Sequence, residues 1–368
     1  MIERHGHIVE LQSIRGVAAL VVLVGHTLSY AQTPLWSQSL LRAVNGHAAV
    51  VLFFVLSGFV LTRSLKASLD NISDVLRFYM RRIFRIYPAL WFASLIGMAY
   101  IYFMHFQYPV EGVSDWFNNL YLHGTIGFLY RSRGFLGTAH LLPPGWSIFV
   151  EIVASGILPL LAWSLYRRRQ VFWMLFIALL LTSFLNKGSP YAVLTYLVDF
   201  AIGAYLAALS PGWRSAIAKL RPGQANLAFA AAILLLVVPR FFWRTYYDDP
   251  TLQMVESIGA AGIIVLIVYS RLDVPALRTP SMLLLGDISF SIYLLHWPMM
   301  CIMAKLIAQL YTPGDNSLVF SLLLMAATLM ITLPLSWLSY TYIELPGIRL
   351  GRWAESGIFQ AKVKQRSV

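Results

Sequence analysis

Arg15 and His26 share one otherwise apolar stretch, residues 13–30, with ten residues between them. Eleven steps of an α-helix return to within about 20° of the same face, and the helical rise sets the two positions about 16 Å apart. That is roughly half the ~30 Å hydrocarbon core of a bilayer. A strong cation near one membrane face and a titratable imidazole near the middle form a costly stripe in lipid, and such residues usually mark a pathway or a reaction site. A snorkelling arginine and a histidine satisfied by a neighbouring helix would account for the same two residues. Glu151 and His296 are the other titratable groups set in long apolar runs at comparable positions. A histidine beside a carboxylate is the minimum equipment for general-base catalysis, because the imidazole takes a proton while the carboxylate orients it.

The elements that must position these groups are membrane helices. The chain has 368 residues, of which 58% are hydrophobic and 12% charged, with a mean hydropathy of +0.68. A soluble domain carries about twice that charged fraction. The apolar periodicity predicts an all-α polytopic bundle of about ten transmembrane helices, over 11–30, 45–65, 83–104, 146–165, 171–186, 191–209, 226–243, 253–270, 282–310 and 317–343. The first stretch lacks a small-residue cleavage pattern, so it reads as a helix of the bundle rather than a removed signal. The single cysteine, Cys301, excludes an internal disulfide framework and a thiolate metal site, and no metal is expected.

A net charge of +12 raises the possibility of nucleic acid, but the placement of the cations argues against it. Of the 28 lysines and arginines, twenty fall on one side of the proposed topology, six on the other and two within helices. That asymmetry puts both termini in the cytoplasm by the positive-inside rule. Residues 1–347 then form one transmembrane domain, and 348–368 a short basic cytoplasmic tail. The longest extramembrane stretch, 105–145, lies outside and is rich in aromatics, which argues for a functional loop. Residues 66–82 form the other substantial loop, on the cytoplasmic side.

Orientation assigns depths. Arg15 falls at the cytoplasmic boundary and His26 in the middle or outer half. Glu151 falls one to two turns below the outer surface, and His296 in the outer half just before a break at Pro298. Three titratable groups from distant parts of the sequence are thus expected at similar depth. Asp199 and Glu256 are less specific and read as structural. Arg82 and Arg85 stand three residues apart at the cytoplasmic start of a helix, hence on one face. Paired guanidiniums there could grip a phosphate bidentately or serve only to fix topology. The run Phe53-Phe54-Val55-Leu56-Ser57-Gly58-Phe59 sets small residues among aromatics, which lets a backbone or a flat ligand approach closely.

In this order, these residues resemble the bacterial membrane acyltransferase-3 family. The matching pieces are Arg15 with His26, the run at 53–59, Arg82 and Arg85 followed by Pro88, and Trp146-Ser147 with Glu151. They continue with Gly286-Asp287-Ile288-Ser289-Phe290-Ser291 leading to His296, and Tyr342-Ile343-Glu344-Leu345-Pro346. The resemblance covers residues 10–347. It implies an enzyme of the bacterial inner membrane that moves an acyl group, usually acetyl from cytoplasmic acetyl-CoA, onto a hydroxyl of an extracytoplasmic or lipid-linked glycan. His26 would be the catalytic histidine, as general base or as transient acyl carrier, with Glu151, His296 and Glu344 at matching positions. Arg15, Arg82 and Arg85 would serve the donor. Some relatives carry a fused extracytoplasmic domain that this chain lacks, so a separate transferase partner is conceivable. The implied partners are otherwise the lipid bilayer and the saccharide acceptor, with no nucleic acid. Transfer of another acyl group, such as succinyl, is the runner-up. A proton-coupled glycan transporter is the alternative from another class, though the paired broken helices of such transporters are not evident.

Overall fold

A computed structural model describes residues 8–32, 44–65, 71–104, 111–115, 117, 131–186, 193–242, 249–314 and 316–365. The described chain is a helical bundle. Its long helices are α1 (Val9–Leu28), α2 (Gly46–Leu65), α3 (Ile72–Met104), α4 (Gly145–Arg167), α5 (Arg169–Leu185) and α6 (Val193–Ala207). The short α7 (Pro211–Ala218) leads to α8 (Pro222–Phe242), α9 (Pro250–Tyr269), α10 (Pro280–Asp287), α11 (Ser289–Ala308), α12 (Ser317–Ser339) and α13 (Leu345–Gln365). Among the described residues the only bridge between extended segments joins Ala31 to Val113.

Eight of these helices are long and apolar enough to cross a membrane. The pair α6 and α7, bent by 82°, makes a ninth if it is one span, and α5 is a further apolar helix of 17 residues. The ten helices expected from periodicity are therefore all present as helices, and their bounds differ where local chemistry intervenes. α3 starts at Ile72, eleven residues before its expected start, so most of the loop expected over 66–82 is helix; residues 66–70 lie outside the described residues. The ninth expected helix splits at Ile288 into α10 and α11, whereas Pro298 lies inside an unbroken α11. The tail boundary expected at 347 falls within α13, which continues from α12 through a π-helical turn at Tyr340–Glu344.

Helix starts follow capping rules. Asp249 accepts from the Thr251 and Leu252 amides at 3.0 and 3.3 Å ahead of Pro250, and Asn316 accepts from the Val319 amide at 3.1 Å. These side chains satisfy donors that a helix leaves open at its first turn, a larger gain in lipid than in water.

Close backbone approach holds the centre of the bundle. A Cβ at Gly58 would collide with the Phe200 carbonyl, and one at Gly203 with the Val55 carbonyl, so α2 and α6 lie in contact along small residues. The aromatic run at 53–59 thus does what its glycine suggested. α1 meets α10 the same way, with Gly16 against Leu285 and Gly286 against Gln12. Without a hydrophobic drive between helices in lipid, such packing supplies much of the association. Gly203→Leu should lower stability by about 1–3 kcal/mol or prevent folding, since the obstruction is backbone. Gly223→Leu, with nothing within 4 Å of its Cβ, should stay within about 0.5 kcal/mol; thermal unfolding in detergent compares the two.

Candidate active site

Two features occupy the centre of the bundle, a histidine pair and an arginine–carboxylate cluster. Both begin with α1. It runs alongside α11, with Ala19 and Leu23 packed in one apolar cluster with Ile288 and Ile292, so the next turn of each helix brings His26 to His296. His26 Nδ1 lies 2.9 Å from His296 Nε2, and the two rings differ in plane by only 7°. His296 Nδ1 faces the Ile292 carbonyl at 3.2 Å. A carbonyl only accepts, so His296 carries its proton on Nδ1 and its Nε2 accepts from His26 Nδ1–H. That tautomer leaves the lone pair of His26 on Nε2, the arrangement a general base needs. Trp297 stands edge-on to His26 at 5.3 Å, and Phe117 stacks on Trp297 at 5.0 Å.

Glu151 is not with the histidines. Its carboxylate accepts from Arg82 Nη2 at 2.5 Å, while Arg82 Nε donates to Ser155 Oγ at 3.2 Å. The expectation of equal depth for His26, Glu151 and His296 is corrected here, and the reason lies ahead of α4. Leu141 and Leu142 are buried against α3 at Gly97, seven residues short of that helix's end. α4 therefore starts inside the bundle rather than at its rim. Ser147 Oγ meets Tyr293 OH at 2.6 Å, which fixes the level of α4 against α11. From that level Glu151 is one turn further along α4 and His296 nearly one turn along α11 in the opposite direction, about 10 Å apart along the axis.

Arg85, on the same face of α3 as Arg82, pairs with Glu344 at 3.2 Å. Glu344 is fully buried at the π-helical turn and also accepts from Ser291 Oγ, which in turn bonds Ser339 Oγ at 2.8 Å. Arg15 completes the cluster. It lines the same cavities as Arg82 and Arg85 and, among the described residues, makes no hydrogen bond or ion pair. Three guanidiniums thus face two carboxylates, leaving a net positive charge that favours an anion.

Two connected cavities frame this cluster. The larger, about 880 Å³, opens at the basic end and is lined by Arg15, Arg77, Arg81, Arg82, Arg85 and Arg352, with Asp74, Asp287 and Glu355 among the remaining lining residues. The smaller, about 120 Å³, shares Arg15, Leu61, Arg82 and Arg85 with it and continues between Phe53, Phe54, Ile148 and Phe290 to Ser147 and Tyr293. The Tyr293 ring is 5.8 Å from that of His296. A basic chamber thus narrows through an aromatic slot that ends at Ser147 and Tyr293, with the Tyr293 ring between it and His296. On the far side of His26, Ser114 N donates to the Tyr30 carbonyl at 2.9 Å and Gln32 N to the Gly112 carbonyl at 2.8 Å, forming a strap across the end of α1. Gly112 has φ +76° and abuts Gly314, so this strap needs glycine there. Most of the aromatic stretch at 105–130 lies outside the described residues. Asp199 and Glu256 each sit in a polar group of their own, away from these cavities. Asp199 accepts from Ser257 Oγ and Gln253 Nε2 at 2.6 and 2.9 Å, while Glu256 engages His47, Asn45 and Arg240 at 2.5 to 2.8 Å.

Sequence reasoning missed Tyr293 and the α13 wall of the chamber. The family-like run toward His296 contains Tyr293, but no spacing rule singles out its pairing with Ser147.

The chain matches the family model described as an acyltransferase domain over residues 8–341. It belongs to the acyltransferase-3 family. It is 25% identical over 356 residues, 92% of this chain and 82% of the relative, to a candidate membrane-bound transacylase, BcsY, of Komagataeibacter xylinus. It is also 28% identical over 158 residues to protein 2 in the picA locus of Rhizobium radiobacter, covering 40% of this chain and 78% of the relative. A third similarity, 34% over 152 residues, is to an uncharacterized protein of Haemophilus influenzae, covering 37% of this chain and 60% of the relative. No solved structure matches the chain. The protein is thus an acyltransferase-3 family membrane protein, as its ordered motifs suggested.

The chamber makes a labelling prediction. Ser64→Cys, on its exposed lining, should react with a membrane-impermeant maleimide from the basic side, whereas the fully buried Cys301 of the parent protein should react only after denaturation. Equal labelling of both before denaturation would contradict the cavity.

Proposed function

We propose that the protein is an O-acyltransferase of the bacterial inner membrane that moves acetyl from cytoplasmic acetyl-CoA to a hydroxyl of an extracytoplasmic or lipid-linked glycan. The observation that carries this reading is the graded path of the two cavities, from arginines at the basic end, through an aromatic slot, to Tyr293, whose ring adjoins His296 of the histidine pair. The basic end is cytoplasmic by the positive-inside rule. A donor with a polyanionic head and a slender arm fits that gradient. Arg82 and Arg85 sit at the neck, where guanidiniums can take phosphate oxygens, and Arg15 adds a charge not neutralised by a partner. Phe53 and Phe54 supply a dry wall for an uncharged arm.

Bound there, the thioester supplies the activated acyl group. His26 Nε2 takes the proton from the acceptor hydroxyl as its oxygen forms the bond to the acyl carbon and the carbon–sulfur bond breaks. His26 then returns that proton to the departing sulfur, so no net proton is left in the bundle. His296 holds the His26 tautomer and brings no charge of its own. Glu151 and Glu344 act on the donor side by orienting Arg82 and Arg85 rather than by touching the reacting atoms. No metal enters this scheme, and a separate extracytoplasmic transferase would be needed only if the glycan is acylated beyond the membrane.

Purified protein in liposomes, given acetyl-CoA and surface glycan from a deletion strain, should transfer acetyl. His26→Ala should lower kcat by at least about 10²-fold, the worth of a positioned base. His296→Ala should cost about tenfold, the equivalent of one orienting hydrogen bond. An acetyl-enzyme trapped with donor alone and lost in His26→Ala would replace the base by a covalent carrier. Succinyl transfer in preference to acetyl would shift the donor, and glycan flux without acylation would establish the transporter instead.

A further inference from the structure

The chamber at the basic end holds a carboxylate that its charge does not require. Glu355 comes from α13, beyond the residues that match the family, and lines a cavity otherwise dominated by arginines. Its position is set by close helix contact. A Cβ at Gly347 would come within 2.8 Å of Pro88, and one at Gly351 within 2.7 Å of Phe84, so the α13 backbone lies directly on α3. Each successive turn of α13 then meets an earlier turn of α3, which brings Glu355 opposite Arg81. Arg81 donates to Glu355 through Nε at 2.8 Å and Nη2 at 2.6 Å, and Arg77 Nε lies 3.9 Å away. The Glu355 side chain is 14% exposed and that of Arg81 59%.

The Arg81 guanidinium thus offers its paired N–H groups to Glu355 as a bidentate fork. The same fork is the geometry by which arginine grips a phosphate. A phosphate cannot take those donors while Glu355 holds them. We infer that Glu355 is a built-in occupant of a nucleotide-phosphate subsite formed by Arg77 and Arg81, displaced when the donor binds, so that it competes for the Arg81 fork and tempers the preference of that subsite for donors carrying a nucleotide. The inference rests on the proposed thioester donor and adds a residue to it. A donor long enough to place its nucleotide end in the chamber displaces Glu355 and recovers the Arg81 fork. A thioester without the nucleotide leaves the fork closed and gains nothing there. Holding α13 to α3 is a separate consequence of the same ion pair, and the two roles are separable by experiment.

The full-length protein in detergent would be assayed with acetyl-CoA, 3′-dephospho-acetyl-CoA and acetyl-pantetheine, as wild type, Glu355→Gln and Glu355→Ala, with thermal unfolding recorded for each. Freeing the fork should lower KM for acetyl-CoA by about three- to fivefold, the equivalent of a partly exposed ion pair. KM for acetyl-pantetheine should shift less than twofold, and dephospho-acetyl-CoA should report whether the 3′-phosphate or the diphosphate takes the fork. A purely structural role would shift melting and move KM for all three donors together, and that result overturns the inference. Turnover of acetyl-CoA with unchanged or raised KM in both variants also overturns it while leaving the donor reading intact. Failure of the wild type to use any of the three thioesters would remove the donor reading and this inference with it.

Discussion

The pairing of Arg82 with Glu151 and of Arg85 with Glu344 is the constraint around which the bundle is arranged. Both arginines lie on one face of α3, and their partners come from α4 and from the junction of α12 with α13. A lone charge at this depth costs several kcal/mol, and pairing recovers most of it only where further hydrogen bonds complete the geometry. Ser155 on Arg82 and Ser291 on Glu344 provide those bonds. The α-helical ladder alone would carry Glu344 to a different face; the π-helical turn at Tyr340–Glu344 adds the extra residue per turn that re-aims it. α3, α4 and α12 are therefore locked in register by electrostatics rather than by apolar burial, which lipid does not reward.

The protein contains a second polar cluster of similar size, and its contrast with the first separates scaffold from site. His47, Asn45 and Arg240 all bond Glu256, which joins α8, α9 and the start of α2, and His47 Nε2 reaches Tyr196 OH at 2.8 Å. Asp199 is matched by Ser257 and Gln253. Those groups line neither cavity described around Arg15. The Arg15 cluster opens on both cavities and carries an excess guanidinium, so it has charge to offer a ligand. A polar network whose groups bond one another away from any cavity holds helices together, and one left positive beside a cavity has an electrostatic preference for anions.

Much of this was legible in the sequence, for reasons of period and spacing. The helices follow from apolar length, and His26 finds His296 because the two occupy matching turns of neighbouring helices. Gly58 reads as a close contact because it is small among large neighbours. Glu151 was misplaced because depth was counted from Trp146, and nothing in the residues ahead of α4 announces that Leu141 and Leu142 are buried. Glu355 was unreadable as a site residue for a different reason. α13 has a charged sequence, as an extramembrane tail would, and the stacking of Gly347 and Gly351 on Phe84 and Pro88 sets its first turns against α3.

His26 is paired with an imidazole rather than a carboxylate, and its surroundings give a physical reason. Among Trp297, Phe117 and Tyr293 a carboxylate would be an added charge beside aromatic rings, and its desolvation would have to be met by further donors. An imidazole supplies the same accepting nitrogen with no charge to bury, and its second nitrogen donates to a carbonyl of its own helix. The carboxylates instead stand about two turns away, where guanidiniums already require counter-charge. The division follows from the dielectric: the charged groups gather beside the chamber, where solvent can share them, and the imidazole pair sits where its neighbours are uncharged. The roughly 16 Å of α1 between Arg15 and His26 is the distance over which one helix passes from the first environment to the second.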